Sequence, residues 1–248
     1  MTARLKGRAA IVTGAGSGIG EATARLIAAD GGRVLAVDLP ASGVAETFLN
    51  ADSIEPFPLD ITGEDAPSSI IGAALERFSR LDILVNNAGI GHSALVETHT
   101  DEDWDRVLGV NVRAPFRLAR EAIPALKASP AGRIVNVASV IAEGTDYGLA
   151  AYCAAKAGVA GLTRTLALEL GKFGITANYV LPGAILTGMT RDSFARDDVA
   201  EVWARKSALR RLGAPEDVAR GIVFLTTDEA AFITGHGLNV DGGLMLRV

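Results

Sequence analysis

Short apolar runs alternate with longer stretches of helical periodicity along almost the whole chain. The apolar runs predict seven strands, at residues 9–13, 33–37, 55–59, 82–85, 133–137, 175–180 and 237–240. Helical periodicity marks residues 21–30, 64–78, 103–126, 150–170 and 215–225. Pro115 and Pro124 fall inside the stretch 103–126, so we expect that helix to be bent or divided.

This alternation predicts an α/β protein with a Rossmann-type, doubly wound parallel sheet of about seven strands and helices on both faces. No repeat, linker or low-complexity segment divides the chain, which indicates one domain over 1–248. Ligands of such sheets bind in the crevice beyond the carboxyl ends of the strands. The residues directly after each strand are therefore the candidates for chemistry.

Composition narrows the class of protein further. Of 248 residues 49% are hydrophobic, and 24 Lys and Arg against 29 Asp and Glu give a net charge of −5. The acidic balance argues against a nucleic-acid partner. Cys153, the single cysteine, excludes an internal disulfide, and no apolar run is long enough for a membrane helix. Without a cleavable signal pattern or a metal-ligand cluster, we expect a cytoplasmic protein that binds a small molecule and no metal.

A glycine-rich turn lies between the first predicted strand and the first helix. Gly14, Gly18 and Gly20 follow the pattern Gly-x-x-x-Gly-x-Gly, with Ser17 and Ile19 between them. Glycine permits close backbone approach, and free amides at a helix start attract a pyrophosphate, to which the Ser17 hydroxyl can also donate. A tight turn without a ligand is the alternative that this pattern alone leaves open.

Acidic residues follow the second and third strands. Asp38, which Leu39 follows, comes 18 residues after Gly20, close to the spacing expected for a carboxylate that binds an adenosine ribose. Such a carboxylate repels a 2′-phosphate, which favours NAD over NADP; a solvated loop carboxylate is the alternative. Asp60 and Ile61 are placed to flank an adenine, and a helix cap near Thr62 is an equally good explanation of Asp60.

Polar and small residues also follow the later strands. Asn87, Ala88 and Gly89 come after the fourth strand, where the amide can brace the backbone and the small residues leave room for a ligand. Asn111 lies among apolar residues of a helix, and its buried amide needs hydrogen-bond partners. Ser139 follows the fifth strand, where it could also be a turn or helix cap.

Tyr152 and Lys156 form the most informative pair, because residues four apart share one face of a helix. A phenol with a pKa near 10 is a poor base at neutral pH. A neighbouring ammonium and a positively charged nicotinamide ring favour the phenolate, so we predict a lowered pKa for Tyr152. Taken alone, this spacing would more often mark a pair on the protein surface.

Together these motifs resemble the short-chain dehydrogenase/reductase family over essentially the whole chain. The matching motifs are the glycine turn, Asn86-Asn-Ala-Gly89, Asn111, Ser139, Tyr152-x-x-x-Lys156 and Pro182-Gly183. The resemblance implies that Tyr152 is the general acid/base and that Ser139 binds the substrate oxygen. It implies that Lys156 holds the nicotinamide ribose and lowers the pKa of Tyr152. Asn111 would anchor a water that relays protons to Lys156.

The resemblance also places the rest of the site. Ile185 and Thr187 would place the nicotinamide carboxamide, with Pro182 and Gly183 also at the cofactor, and residues 184–206 would form a lid over the substrate. The expected substrate pocket is mainly apolar, with Val140, Ile141, Tyr147 and Met189 as its first candidates and Ile90, His92, Leu149, Phe194 and Trp203 as further ones. Arg191 or Arg196 could meet an anionic substrate. A homotetramer is the oligomer that the resemblance implies.

The expected function is NAD-dependent interconversion of an apolar or cyclic secondary alcohol and its ketone. The alternative within enzymes is a 3-oxoacyl-thioester reductase of the acyl carrier protein type, against which Asp38 counts because many of these reductases prefer NADPH. A dinucleotide sensor without catalysis is the alternative from another class, and the complete set Asn111, Ser139, Tyr152 and Lys156 argues against it.

Overall fold

The computed structural model describes residues 3–246, which contain one seven-stranded sheet. All paired strands are parallel, in the order β3-β2-β1-β4-β5-β6-β7. The strands are β1 (Ala9–Thr13), β2 (Arg33–Asp38), β3 (Ile54–Pro58), β4 (Ile83–Asn86), β5 (Arg133–Val137), β6 (Thr176–Pro182) and β7 (Gly237–Val240). The predicted fold class is confirmed.

Helices follow the strands and cover both faces of the sheet. They are α1 (Gly18–Ala29), α2 (Val44–Thr47), α3 (Ala66–Phe78), α4 (Asp101–Leu108), α5 (Ala114–Ala128), α6 (Ala150–Leu170), α7 (Arg191–Phe194), α8 (Asp197–Lys206) and α9 (Pro215–Thr226). Within residues 3–246, none of these helices combines the length and the apolar surface needed to cross a membrane.

The central strands are apolar throughout because helices bury both faces of the sheet. In β1, Ala9 and Ile11 pack into the core formed with α3, α5 and α6. Ala10 and Val12 face the opposite core, which is formed with α1 and α9. Parallel strands covered on both sides read as continuous hydrophobic runs, which is why the sequence pattern located them.

The predicted helix over residues 103–126 is two helices, and the division lies before the prolines. A π-helical turn, Gly109–Arg113, separates α4 from α5. Pro115 lies in the first turn of α5, directly after the π-helical turn, and Pro124 is accommodated inside α5, which continues to Ala128. The helix is therefore divided, as predicted, but the division lies at Gly109–Arg113 and not at the prolines.

β1 and β4 are neighbours in the sheet, and the strand order reverses between them. From β1 the sheet continues to β2 and β3, and from β4 it continues to β5, β6 and β7. Connections leave the two strands in opposite directions, so a crevice opens beyond their carboxyl ends. The turns after β1, β2, β4 and β5 all meet at this edge of the sheet.

Candidate active site

A cleft of about 850 Å³ lies at this edge. It runs from Asp38 and Asp60, after β2 and β3, to Tyr152 on α6 and Thr187 after β6. Its volume is in the range of small-molecule and cofactor sites, roughly 300–1,000 Å³. The residues after the strands, which the sequence marked as candidates for chemistry, therefore line a cleft of suitable size.

The glycine turn brings the backbone of β1 against the turn after β4. Gly14 has a φ of +66°, and a Cβ there would lie 2.8 Å from the Cα of Ala88. A Cβ on Gly20 would overlap the carbonyl oxygen of Gly14. These close approaches require glycine at both positions and leave the first turn of α1 open to the cleft, with Ser17 and Gly18 in its wall.

Asp38 is held in one orientation by backbone amides. Its Oδ2 accepts a hydrogen bond from the Gly16 amide at 2.7 Å, and its Oδ1 accepts one from Leu39 at 2.7 Å. A Cβ on Gly16 would approach Asp38 Oδ2 to 2.9 Å. The carboxylate is thus fixed beside the glycine turn, where a ribose joined to a pyrophosphate on that turn would lie.

Asp60 closes a turn before α3, whose N-cap is Asp65, so Asp60 is not the helix cap that the sequence offered as an alternative. Its Oδ1 accepts hydrogen bonds from the Thr62 amide and hydroxyl, each at 2.8 Å, so the carboxylate closes a turn. Asp60, Ile61 and Thr62 also line the cleft. The turn that Asp60 closes is therefore part of the cleft wall.

Asn87 fastens the turn after β4 to the end of β1. Its Nδ2 donates to the carbonyl oxygens of Thr13 at 2.9 Å and Gly14 at 3.0 Å. The Thr13 hydroxyl in return accepts from the amides of Asn87 and Ala88, both at 3.1 Å. The amide side chain therefore braces the backbone around the cleft, as predicted from its position after the strand.

Ser139, Tyr152 and Lys156 meet in the cleft. Ser139 follows β5, and its hydroxyl accepts a hydrogen bond from the Ile141 amide at 3.4 Å. Lys156, one helical turn after Tyr152, is 3% exposed and donates from Nζ to the Val137 carbonyl at 2.8 Å. Its Nζ lies 5.5 Å from the centroid of the Tyr152 ring. The spacing of four residues thus places both side chains on one face of α6.

Burial shifts the pKa of both groups toward the uncharged form. It raises the pKa of Tyr152 to about 12, although the nearby Ser139 hydroxyl acts in the opposite direction. It lowers the pKa of Lys156 to about 8. In the protein alone, desolvation of the phenolate dominates, and Lys156 Nζ bonds to a backbone carbonyl. The lowering expected from Lys156 together with a nicotinamide cation stays a prediction.

Asn111 lies on the π-helical turn and bonds to the segment after β4. Its Oδ1 accepts from the Ile90 amide at 2.9 Å, and its Nδ2 donates to the Ile90 carbonyl at 2.8 Å. A Cβ on Gly89 would lie 2.9 Å from Asn111 Oδ1 and 3.3 Å from Lys156 Nζ. Asn111 therefore supports the cleft wall next to Lys156, although it does not line the cleft itself.

The segment after β6 forms the opposite wall. The Thr190 hydroxyl donates to the Ile185 carbonyl at 2.6 Å and accepts from the Thr187 amide at 2.9 Å. This pair of bonds closes the loop that carries Ile185 and Thr187 into the cleft. The sequence drew attention to those two residues but not to Thr190.

Most of the predicted cofactor residues line the cleft. They are Gly14, Ser17, Gly18, Ile19, Asp38, Leu39, Asp60, Ile61, Asn87, Ala88, Gly89, Tyr152, Lys156, Pro182, Gly183, Ile185 and Thr187. Gly20 instead packs beneath the turn against the Gly14 carbonyl.

The predicted substrate residues are divided by the structure. Met189 lines the cleft, and so does Ile90. Val140 and Ile141 belong to a hydrophobic cluster behind Ser139, and Tyr147 is 91% exposed outside the cleft wall. Since Ser139 starts a short 3₁₀ turn at 140–142, the chain turns away from the cleft there, which the sequence did not indicate.

The two arginines considered for an anionic substrate also lie outside the cleft wall. Arg196 pairs with Asp198 at 2.9 Å on the surface, and Arg191 starts the short helix α7. Neither position supports contact with a substrate in this conformation.

Sequence reasoning missed several residues of the cleft wall. They are Leu59, Thr62, Asp105, Arg106, Gly109, Val110, Val137, Ala138, Gly188 and Thr190. Leu59 and Thr62 could have been found, because they flank a strand end. Asp105, Arg106 and Val110 reach the cleft from α4 and the π-helical turn, and no local motif marks that packing.

The donor set fits a nicotinamide dinucleotide. The glycine cradle would be filled by any side chain, the fixed Asp38 carboxylate lies beside it, and Ser139, Tyr152 and Lys156 lie at the other end of the cleft. A parallel sheet with this cleft at its switch point is the arrangement in which dinucleotide-dependent oxidoreductases bind their cofactor.

Comparisons with known proteins specify the family. A family model described as enoyl-(acyl carrier protein) reductase matches residues 14–245. The chain is 37% identical over 247 residues to the 3-oxoacyl-[acyl-carrier-protein] reductase FabG of Thermotoga maritima, covering 98% of this chain and 100% of the relative. It is 38% identical over 244 residues to the short-chain reductase protein NovJ of Streptomyces niveus, covering 94% and 92%.

A solved structure is similar over its full length. It is a crystal structure from Beutenbergia cavernae, with a suggested activity of NAD(P)-dependent gluconate 5-dehydrogenase and NADP bound at low occupancy. The TM-score is 0.92 at 36% identity, with 100% of both chains covered. The chain belongs to the short-chain dehydrogenase/reductase family, and it is an oxidoreductase that acts on CH–OH or ketone groups.

Proposed function

We propose that this enzyme reversibly transfers hydride between NAD(H) and a secondary alcohol/ketone pair, with a 3-oxoacyl thioester as the leading substrate class. The observation that carries the proposal is the meeting of Ser139, Tyr152 and Lys156 in a cleft whose other end holds Asp38. The carrier-protein reductases among the curated relatives support the thioester.

The residues of the chain take complementary roles in this reaction. Bound nicotinamide supplies or accepts the hydride. Tyr152 holds its proton at neutral pH and donates it to the carbonyl oxygen during reduction, while the Ser139 hydroxyl orients that oxygen. The Lys156 ammonium, next to Gly89, binds ribose hydroxyls and stabilises the phenolate that forms. In alcohol oxidation the phenolate of Tyr152 takes the hydroxyl proton.

Asp38 supports NAD over NADP, even though the related solved structure contains NADP. The carboxylate is fixed by the Gly16 and Leu39 amides, so it cannot turn away from a 2′-phosphate without losing two hydrogen bonds. Like charges in close contact at a protein surface repel by about 1–4 kcal/mol. We therefore place the 2′- and 3′-hydroxyls of a ribose at this carboxylate.

The cofactor proposal is tested by comparing kcat/KM for NADH and NADPH. The wild type should prefer NADH by about 10-fold or more, and Asp38→Asn should lose most of that preference because the charge is removed. Asp52→Asn, at an exposed position before β3, is the control and should keep the wild-type ratio. A wild type that prefers NADPH would reject the NAD assignment and leave the hydride-transfer proposal standing.

Substrate class has a second candidate. Ile90, Met189 and Val137 give the cleft an apolar wall near Ser139, which suits a nonpolar or cyclic secondary alcohol. Acetoacetyl-coenzyme A, a cyclic ketone and 5-keto-gluconate should be compared at equal concentration with NADH. The highest kcat/KM for the thioester supports the leading class, and a higher value for either other ketone replaces it.

Three expectations of organisation belong to the same proposal. We place a substrate lid at residues 184–206, which include α7, α8 and the loop closed by Thr190. We also expect a homotetramer and a cytoplasmic location. Protection of residues 184–206 from proteolysis by NADH and the mass in solution test the first two, and fractionation of cells tests the third.

A further inference from the structure

Arg117 bonds to the backbone of the turn after β3. It lies in the first turns of α5, and its guanidinium donates from Nη1 to the carbonyl oxygens of Thr62 at 3.2 Å and Gly63 at 3.0 Å. Its Nη2 donates to the carbonyl oxygen of Glu64. One side chain therefore holds three successive carbonyl groups.

The charge of Arg117 has no acidic partner within 4 Å among residues 3–246, unlike that of Arg80, which is paired with Asp82. A guanidinium is a rigid planar fork of five donors, so three bonds to consecutive carbonyls fix the orientation of consecutive peptide planes. The contact is specific to the turn and does not neutralise a carboxylate.

The same turn forms the cleft wall at the end where Asp38 lies. Asp60, Ile61 and Thr62 line the cleft, whereas Arg117 does not. The Leu59 amide donates to the Asp38 carbonyl at 2.7 Å, which joins this wall to the β2 end. A dinucleotide with its adenosine ribose at Asp38 must place its adenine against this wall.

We propose that Arg117 is a positioning residue for the adenine-binding wall, acting through the 62–64 carbonyls on the affinity for the adenosine half of the cofactor. The inference rests on the proposed dinucleotide site. Arg117 contacts neither Ser139 nor Tyr152 nor Lys156, so it sets cofactor affinity and leaves the chemical step unchanged.

The test compares Arg117→Met with Arg117→Lys and with Arg120→Met. Arg120 lies on the same helix and stacks on Phe116 at 5.3 Å, away from the turn. Arg117→Met should raise the Kd of NADH and the inhibition constant of AMP together by about 10-fold, equivalent to about 1.4 kcal/mol, with kcat at saturating NADH within about 2-fold of wild type. Arg117→Lys, with a single ammonium, should show a smaller increase, and Arg120→Met none.

Three results would overturn the inference. The first is an Arg117→Met variant whose Kd for NADH and inhibition constant for AMP equal those of the wild type. Another is a fall in kcat without a change in the AMP constant, which indicates a general structural role. The third is equal weakening by Arg120→Met. If circular dichroism shows that Arg117→Met does not fold, the same two quantities are measured for Arg117→Lys. Weaker AMP binding with unchanged kcat then supports the inference, and a fall in kcat with unchanged AMP binding overturns it. A wild type that binds neither NADH nor AMP rejects the proposed function and this inference with it.

Discussion

At the scale of single residues, Tyr152 and Lys156 are shifted toward neutrality by the same burial. The pKa of Tyr152 is raised to about 12 and that of Lys156 is lowered to about 8. At pH 7 both still carry their protons, which is the state that reduces a ketone. A cationic nicotinamide beside the phenol would favour the phenolate and so lower the pKa of Tyr152, opposite to the effect of burial.

Buried Lys156 should lower the free energy of unfolding, although the proposed reaction needs it. The difference between its ordinary pKa of 10.5 and about 8 corresponds to about 3 kcal/mol, of which an orphaned Val137 carbonyl would offset about 1 kcal/mol. Lys156→Met should therefore raise the free energy of unfolding at pH 7 by about 2 kcal/mol and abolish turnover. Urea denaturation and NADH oxidation measure the two effects.

The pH dependence of that difference has a definite sign. Folded Lys156 loses its proton near pH 8 and the unfolded residue near 10.5, so the unfolded state binds more protons between these values. Stability of the wild type relative to Lys156→Met should rise from pH 8 to pH 10. Lys6→Met, at an exposed position, should show no such change. A Lys156→Met variant less stable than wild type at every pH contradicts the account.

The positions of these residues could be predicted from the sequence, but the direction of the phenol pKa shift could not. The spacing of four residues placed Tyr152 and Lys156 on one helix face. How far the phenol is desolvated depends on tertiary packing, since Tyr152 joins Ile90 and Trp104 around a small buried cluster of Val107, Ala151 and Ala155. That packing has no local signal.

At the scale of elements, the π-helical turn Gly109–Arg113 joins α4 to α5 and presents Asn111 to the backbone after β4. The Oδ1 and the Nδ2 of the Asn111 side chain both hydrogen-bond to the backbone of Ile90. π-Helical turns are frequent at functional sites because one extra residue redirects a side chain. Here the redirected side chain holds the wall beside Lys156.

Asn111→Ala should loosen this connection. It leaves the partly buried Ile90 amide and carbonyl without their partners, at a cost of about 2 kcal/mol in unfolding free energy. We expect lower kcat as well, because the wall beside Gly89 and Lys156 is no longer fixed. Asn50→Ala, at an exposed position, is the matched control for urea denaturation. Equal stability of the two variants would show that the Ile90 bonds contribute little.

Strands were easier to predict than this turn. Buried parallel strands such as β1 and β5 appear as apolar runs, and their bounds were predicted correctly. The π-helical turn depends on bonds between residues 21 apart, so the prolines gave only a displaced indication of it.

At the scale of the whole molecule, one topological fact brings the candidate site together. All strands of the sheet are parallel, so Gly14, Asp38, Asn87 and Ser139 arrive at the same edge although they are far apart in sequence. That is why most residues predicted from the strand ends line the cleft. The same reasoning failed for Val140, Ile141 and Tyr147, because the path of a loop after a strand is set by packing.

The central claim is that Tyr152 transfers the proton in a reaction linked to a nicotinamide dinucleotide. The most direct test follows NADH absorbance with the best ketone substrate for wild type, Tyr152→Phe and Tyr147→Phe. Loss of a general acid costs about 10²–10⁴-fold in rate. Tyr152→Phe should lose kcat by that factor and keep its Kd for NADH, while Tyr147→Phe, 91% exposed, keeps wild-type turnover. Turnover by Tyr152→Phe within about 10-fold of wild type would contradict the account.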